Sequence, residues 1–380
     1  MLQGPKRVQG QGRLQNVRER LRWTELLQGQ GWLQRSLSEV SRPISDDEAS
    51  PSGREYAIDR SGTPDFGVGV GLRVPHYAFI LSERPHVDFF EIISENFMVD
   101  GGRPRYHLAS VLESYRVLNH GVSLNIAGPA ELDRSYLARL KRLADETNTP
   151  WVSDHLCWCG GAGAHLHDLL PLPYTREAVE RVVERARMVQ DILERPFLLE
   201  NTSSYLTYRS STLSEWEFIS EIAERADIGL LFDVNNVYVS AYNHGFDPVE
   251  FVRGVPHARV AQIHLASHTN HGRYIIDTHR GHVIDAVWQL YRLTIEQCGA
   301  VSTLIEWDDE IPPFPTLLQE AERARREREL ALEARLSGTT SVDVSSIRAA
   351  LVAARSETAH PNSVWVQGGP REMPPKASVG

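Results

Sequence analysis

Short apolar segments alternate with amphipathic helical stretches between Phe66 and about Arg325, and this alternation constrains the fold more than any other feature. Continuous apolar strands flanked by helices are typical of a parallel sheet that is covered on both faces. Eight such segments within about 260 residues match the usual size of a (β/α)8 barrel. The segments are Gly67–Leu72, Val87–Ile93, Arg116–Leu124, Trp151–His155, Phe197–Glu200, Gly229–Val234, Val260–Leu265 and Thr303–Glu306.

The stretches between these segments carry clear helix signals. Thr175–Glu194 places its Val and Ala residues on one face at helical spacing. Ser214 and Glu217 form a capping box at the start of another helix. A doubly wound open sheet is the structural alternative, but no G-x-G-x-x-G motif follows the first strand. We therefore predict an α/β fold of the (β/α)8 TIM-barrel type, with flexible N- and C-terminal extensions.

The two ends of the chain differ in composition from its centre. Residues 1–60 are rich in Gln, Arg, Ser and Gly, with one amphipathic stretch around Leu14–Leu37, and we interpret them as an extension and linker. Residues 61–335 form the predicted barrel domain, and residues 336–380 are predicted to be a flexible tail rich in Ala, Ser and Pro.

Charge, hydropathy and cysteine content exclude several classes of function. A net charge of −10 argues against a nucleic-acid partner, since such proteins usually present a basic face. No apolar run reaches about 18 residues, so no membrane span is expected. The three cysteines provide no disulfide framework and suit the cytoplasm. We interpret Cys157 and Cys159 as small side chains beside a strand end, in preference to a metal or redox pair.

The end of every predicted strand supplies a His, Asp or Glu residue. In a barrel these ends face the active site, and a buried ionisable group is costly unless it is paired or binds a metal. Fourteen of the fifteen histidines lie between His76 and His282. The set therefore predicts metal binding. It comprises His76, Glu91, Glu95, His120, Asp154, His155, Glu200, Asp233, His264, His268, Asp277, His279, Glu306 and Asp308.

The ligand types narrow the choice of metal. A mixture of imidazoles and carboxylates without a thiolate cluster suits iron, manganese or catalytic zinc. Eight or nine candidate ligands exceed the needs of one ion, so two or three ions are implied, with a carboxylate such as Glu200 bridging.

Three other histidines have open roles. His165 and His167 lie beyond the fourth strand. At this position, contact with the substrate or with a metal-binding side chain is favoured over direct metal binding. His244 belongs to either a turn or a substrate-facing loop. There is no G-x-S-x-G elbow and no P-loop, which argues against serine hydrolysis and nucleotide chemistry.

Ten short motifs, in order across Gly67–Ala324, resemble the multinuclear non-haem iron-dependent oxidases, a family formerly described as a domain of unknown function. This family is in turn similar to the xylose-isomerase and apurinic-endonuclease barrels. The motifs are Gly69–Arg73 with Pro75–Tyr77, Glu95–Asn96, Ser153–Leu156, His165–Pro171, Leu199–Asn201, Phe232–Tyr238, Asn243–Phe246, Gln262–Ala266, Asp277–His279 and Leu304–Asp308.

The resemblance implies a specific activity and ligand set. Such enzymes use two or three iron ions in mixed Fe(II)/Fe(III) states, with dioxygen as co-substrate. They modify residues, commonly cysteines, of ribosomally made precursor peptides, often with a small partner protein. The implied metal ligands are His76, His120, Glu200, Asp233, His264, Asp277, His279 and Glu306, with Asn236 where the endonucleases have a histidine. Glu200, Asp233 and His264 are the implied catalytic residues, and Glu95, Asp154, His155, His165, His167, Asn201, His244 and Asp308 the substrate or second-shell residues.

Two other functions remain open. One is a zinc or manganese hydrolase or isomerase on the same barrel, although the Asn236 amide is a weaker ligand than the endonuclease histidine. The other is a scaffold that binds a peptide without catalysis. Metal analysis and a requirement for dioxygen would distinguish them from the oxidase.

Overall fold

A computed structural model describes residues 63–161 and 164–356, in which eight parallel strands close into a barrel. Around the barrel the strands run in the order β1, β2, β3, β4, β7, β8, β9, β12 and back to β1. Their bounds are β1 Val68–Gly71, β2 Phe90–Ile93, β3 Val117–Gly121, β4 Val152–His155, β7 Phe197–Glu200, β8 Gly229–Asp233, β9 Val260–Leu265 and β12 Ser302–Ile305. Two antiparallel hairpins follow β4 and β9, namely β5 Trp158–Gly161 with β6 Ala164–Leu170, and β10 His268–Asn270 with β11 Ile275–Asp277.

The barrel closes where the first and last strands meet. Val68 lies opposite Thr303, and Val70 lies opposite Ile305, in parallel register. An open sheet would leave these two strands as unpaired edges. The predicted (β/α)8 barrel is therefore confirmed, and all eight predicted strand segments correspond to its strands.

Helices cover the outside of the barrel and begin at the predicted signals. Ser214 and Glu217 form the capping box expected from the sequence. Thr175 accepts a hydrogen bond from the Ala178 amide at the start of another helix. The α-helices are α1 Tyr77–Glu83, α2 Arg103–Leu112, α3 Arg134–Thr147, α4 Arg176–Leu193, α5 Glu215–Ala226, α6 Val234–His244, α7 Pro248–Gly254, α8 Asp285–Cys298, α9 Phe314–Ser337 and α10 Val344–Ser356.

Helix α10 lies inside residues 336–380, the predicted flexible C-terminal tail. It packs against α7 and α8, with Ile347 and Leu351 buried. Two apolar side chains one turn apart explain this contact, because they bury together on one helix face. Residues 1–60 and the rest of the tail lie outside the described residues, and the domain boundaries stay a prediction. No helix in the described ranges combines the length and apolarity needed to cross a membrane.

A plug of large side chains fills the end of the barrel opposite the mouth. Phe66 stacks on Trp151 with ring centroids 5.5 Å apart. The Trp151 indole donates to Gln262 Oε1 at 2.8 Å, so its polar atom is satisfied inside the core. Phe89 belongs to the same buried cluster and packs over Gly69, at which an added Cβ would lie 2.5 Å from the Phe89 ring and 2.6 Å from its carbonyl oxygen.

We expect Gly69→Ala to destabilise the protein by about 1–3 kcal/mol, since the added methyl group meets backbone that cannot move aside cheaply. The control is Gly101→Ala, where a Cβ meets nothing within 4 Å. Thermal unfolding of the two variants provides the comparison. Equal stability would show that the barrel relaxes around position 69.

Candidate metal centre

The closed barrel brings seven His, Asp and Glu side chains to its mouth. Parallel pairing aligns neighbouring strand ends, with His155 opposite Glu200 and Asp233 opposite His264. His279 follows the second hairpin, and its backbone amide donates to the Ser267 carbonyl at 2.9 Å. The seven residues are His120, His155, Glu200, Asp233, His264, His279 and Glu306.

These side chains form three groups whose ligand atoms all lie within 4.8 Å of one another inside each group. The first group is His120, His155 and Glu200; the second is Glu200, Asp233 and His264; the third is Asp233, His279 and Glu306. Glu200 belongs to the first and second groups, and Asp233 to the second and third. The arrangement is therefore a chain of three potential ion positions linked by two shared carboxylates.

Burial makes Glu200, Asp233 and His155 costly to charge in the absence of a cation. It raises the pKa of Glu200 well above its usual value, and it raises that of Asp233 to about 7, with a further contribution from Asp277. Burial also lowers the pKa of His155 to about 4. Each shift favours the uncharged form of a buried group. A bound cation would instead favour the carboxylates and neutral imidazoles that act as ligands.

Several ligand atoms of the centre have no hydrogen-bond partner among the described residues. They are His120 Nε2, Glu200 Oε2, Asp233 Oδ2 and Asn236 Oδ1. Native proteins leave few buried polar atoms unpaired, and a cluster of them calls for an ion or another explanation. The donor atoms present are thus those that a bound metal would satisfy.

Neighbouring polar groups orient these side chains. Glu91 Oε1 lies 3.0 Å from His264 Nε2, leaving Nδ1 to face the centre. His120 Nδ1 lies 2.9 Å from Ser153 Oγ, and His155 Nδ1 lies 3.0 Å from the Gly121 carbonyl oxygen. Such contacts fix the tautomer and the ring orientation of a metal-binding histidine. Glu91 belongs to the strand-end residues, but it is absent from the ligands and supporting residues that the resemblance implies.

Two amides support the shared carboxylates. The Asn201 side chain donates to the Asp233 carbonyl and accepts from its amide, both at 2.9 Å. Asn236 Nδ2 lies 3.4 Å from Glu200 Oε1, and its backbone amide donates to Asp233 Oδ1 at 2.5 Å. Asn236 thus lies against both carboxylates, and its buried Oδ1 has no hydrogen-bond partner among the described residues, so ligation by this amide stays a prediction.

Besides Asn236, two residues with a predicted ligand role lie outside the three groups. His76 is buried, with Nε2 2.8 Å from the Pro312 carbonyl oxygen and its ring edge-on to Phe314. Asp277 accepts from Asn235 Nδ2 at 2.8 Å and lies 2.9 Å from His279 Nε2. His76 Nδ1 is buried and has no hydrogen-bond partner among the described residues, and direct ligation by either residue stays a prediction.

The predicted substrate and second-shell residues are distributed around the mouth. His155 lies in the first group, closer to the centre than expected. The Tyr136 hydroxyl joins Glu95 at 2.7 Å to Asp154 at 3.4 Å. His244 contacts Ser204 at 2.7 Å at the end of α6. Asp308 accepts from Arg73 at 2.5 Å, beside Glu306. The side chains of His165 and His167 lie outside the described part of the structure.

Comparison with known proteins shows the family to which the chain belongs. Residues 67–329 match the family model described as RiPP precursor modification enzyme MbnB/TglH/ChrH, where RiPP denotes a ribosomally synthesised and post-translationally modified peptide. The chain belongs to this family. Membership confirms the predicted resemblance and implies an enzyme that acts on a precursor peptide.

Several relatives share the barrel region over nearly their whole length. A UPF0276 protein of Anaeromyxobacter sp. is 51% identical over 272 residues, covering 72% of this chain and 96% of its own. A UPF0276 protein of Caulobacter vibrioides is also 51% identical, over 69% of this chain and 94% of its own.

Among solved structures, a xylose isomerase domain protein from Planctomyces limnophilus has a TM-score of 0.48 and 13% identity, over 70% of this chain and 99% of its own. An L-ribulose 3-epimerase has a TM-score of 0.48 and 15% identity, over 76% of this chain and 98% of its own.

The shared carboxylates lead to a graded prediction for metal content. Glu200→Ala or Asp233→Ala removes a ligand from two groups, so each variant should lose about two ions, whereas His120→Ala should lose about one. All three should stay folded, because site residues contribute little to core packing. Elemental analysis and circular dichroism measure both properties. Equal metal loss in all three variants would contradict the linked arrangement.

Asn236→Ala should have a milder effect than replacement of either shared carboxylate. Loss of a supporting contact typically weakens metal binding by about 10–100-fold or less. Metal titration of the purified variant tests this expectation. Complete metal loss would instead identify Asn236 as a direct ligand.

Proposed function

We propose that this protein is a dioxygen-dependent oxidase with two or three iron ions that modifies a cysteine of a ribosomally synthesised precursor peptide. The observation that carries the proposal is the chain of three His-carboxylate groups, linked by Glu200 and Asp233, in an enzyme of the precursor-modification family. A linked centre supports more than one ion, as the number of candidate ligands predicts.

The donor set supports iron. Each group combines one or two imidazoles with one or two carboxylates and contains no thiolate. Such ligands suit iron, manganese or zinc, of which zinc lacks the redox chemistry that activation of dioxygen requires, and the resemblance favours iron over manganese. Mixed Fe(II)/Fe(III) states are part of the proposal and follow from the resemblance.

The chain's own residues would hold and orient the reacting groups. Glu91 and Ser153 would fix the His264 and His120 side chains from behind, and Asn201 would fix the backbone of Asp233, so that the centre is organised before substrate arrives. The buried barrel end beneath the centre, closed by Trp151, keeps water from approaching from that side. Substrate must therefore enter from the mouth, where the hairpins β5–β6 and β10–β11 follow strands β4 and β9.

The substrate and partner assignments have different support. A precursor peptide follows from family membership. Cysteine as the modified residue, a small partner protein that presents the peptide, and a cytoplasmic location are proposals from the resemblance and the composition.

Protein purified without oxygen from iron-supplemented cells should contain about two to three iron ions per chain, because three ligand groups are available. Elemental analysis with a Mössbauer or paramagnetic-resonance spectrum measures the amount and the valence. One zinc ion with negligible iron would favour a hydrolase or isomerase.

Co-expression of this protein with the short open reading frames beside its gene should produce an oxidative mass change on one encoded peptide. The experiment is run both with and without the neighbouring small protein. The change should require iron, dioxygen and His264, a buried member of the second group. The matched control is His86→Ala, since His86 is exposed and lies outside the three groups.

Mass spectrometry distinguishes the alternatives. Turnover of a free sugar or of abasic DNA, with every peptide unchanged, would replace the oxidase with a hydrolase or isomerase. Peptide binding that persists in the His264→Ala variant, with no product from either protein, would identify a scaffold.

A further inference from the structure

Arg73 lies directly behind the third group; it ends the Gly69–Arg73 motif but is absent from the predicted site residues. It follows β1 at the mouth of the barrel, and its side chain is 11% exposed. The guanidinium folds back over Gly71, where an added Cβ would lie 2.8 Å from both Cζ and Nη1 of Arg73. The absence of a side chain at Gly71 therefore makes room for a charged group in this wall of the barrel.

The contacts of Arg73 divide the two oxygens of Glu306 between different partners. Arg73 Nη2 lies 3.6 Å from Glu306 Oε1, while Nε donates to Asp308 Oδ1 at 2.5 Å. Glu306 Oε2 lies 3.2 Å from His264 Nδ1 and 3.4 Å from His279 Nδ1. One oxygen thus faces the guanidinium and the other faces the ligand groups.

The charge of Arg73 distinguishes the third group from the other two. Within the described ranges, Arg73 is the only Lys or Arg that forms an ion pair with a member of the three groups. Arg73 carries its charge at all accessible pH values. A cation in the third group would lie beside this fixed charge, whereas no member of the first group forms an ion pair with Arg73.

We propose that Arg73 is a positioning residue that holds Glu306 with a single oxygen toward the third group and makes this group the weakest of the three cation positions. The inference rests on the metal centre of the proposed function. A ligand that offers one oxygen leaves a coordination position free, and a nearby positive charge lowers cation affinity. The third position would then be the one that exchanges its ligands most readily.

Charge and positioning can be separated with two substitutions of opposite effect. Arg73→Gln keeps an amide donor and removes the charge, so the weakest cation should bind about tenfold or more tightly. Asp308→Asn removes the competing carboxylate and leaves Arg73 to Glu306 alone, so the same cation should bind more weakly. Arg73→Lys retains the charge, so this variant should bind the weakest cation with the wild-type affinity.

The experiment is titration of the metal-free, full-length protein with Co²⁺, followed by the visible absorption of the bound ion and by equilibrium dialysis. The wild-type protein should show three binding steps, of which only the weakest changes in the variants. Its absorption band should also change in Arg73→Gln, because Glu306 becomes free to offer both oxygens.

The possible outcomes separate this inference from the proposed function. Three wild-type steps with an unchanged or weaker last step in Arg73→Gln would overturn the role of Arg73 and leave the metal centre intact. Fewer than two bound ions in the wild-type protein would overturn the metal centre itself and this inference with it. Loss of folding in Arg73→Gln would be visible by circular dichroism, and Arg73→Met would then test the same removal of charge.

Discussion

The register between neighbouring parallel strands is the constraint on which the centre depends. His155 lies opposite Glu200, and Asp233 lies opposite His264, so side chains from distant parts of the sequence end at the same height. A strand that slipped by one residue would turn its ligand from the inside of the barrel to the outside. Closure between β1 and β12 removes the free edges that would permit such a slip. The rigid barrel therefore provides the precision that a multinuclear centre needs.

That precision has an energetic cost, because the barrel gathers carboxylates and imidazoles where water cannot solvate them. Burial dominates the raised pKa values of Glu200 and Asp233. Removing charge from water costs several kcal/mol per group unless opposite charge or hydrogen bonds replace the lost solvation. A hydrogen bond from the Asn236 backbone amide to Oδ1 replaces part of it at Asp233. Bound cations would replace the rest, so metal binding and stability of the mouth are coupled.

The sequence predicts the barrel because its signals are local. Apolar strand segments and the Ser214–Glu217 capping box depend on residues a few positions apart, and the structure confirms both. Whether a strand-end residue joins a ligand group depends instead on its rotamer and on nearby donors. His155 and His76 both follow strands, yet His155 joins the first group, while His76 turns to the Pro312 carbonyl oxygen. Glu91 and Arg73 act through other side chains, and spacing along the chain contains no signal for such contacts.

Shared ligands would make the three potential ion positions interdependent. A cation in the first group would neutralise Glu200 and so reduce the negative charge available to the second group, which uses the same carboxylate. It would also hold Glu200 in a fixed orientation, which removes part of the ordering cost for the next ion. These two effects oppose each other, and any coupling between positions must be reciprocal. Because Asp233 repeats the arrangement between the second and third groups, a change at Glu306 can reach His120 through two carboxylates without any movement of the barrel.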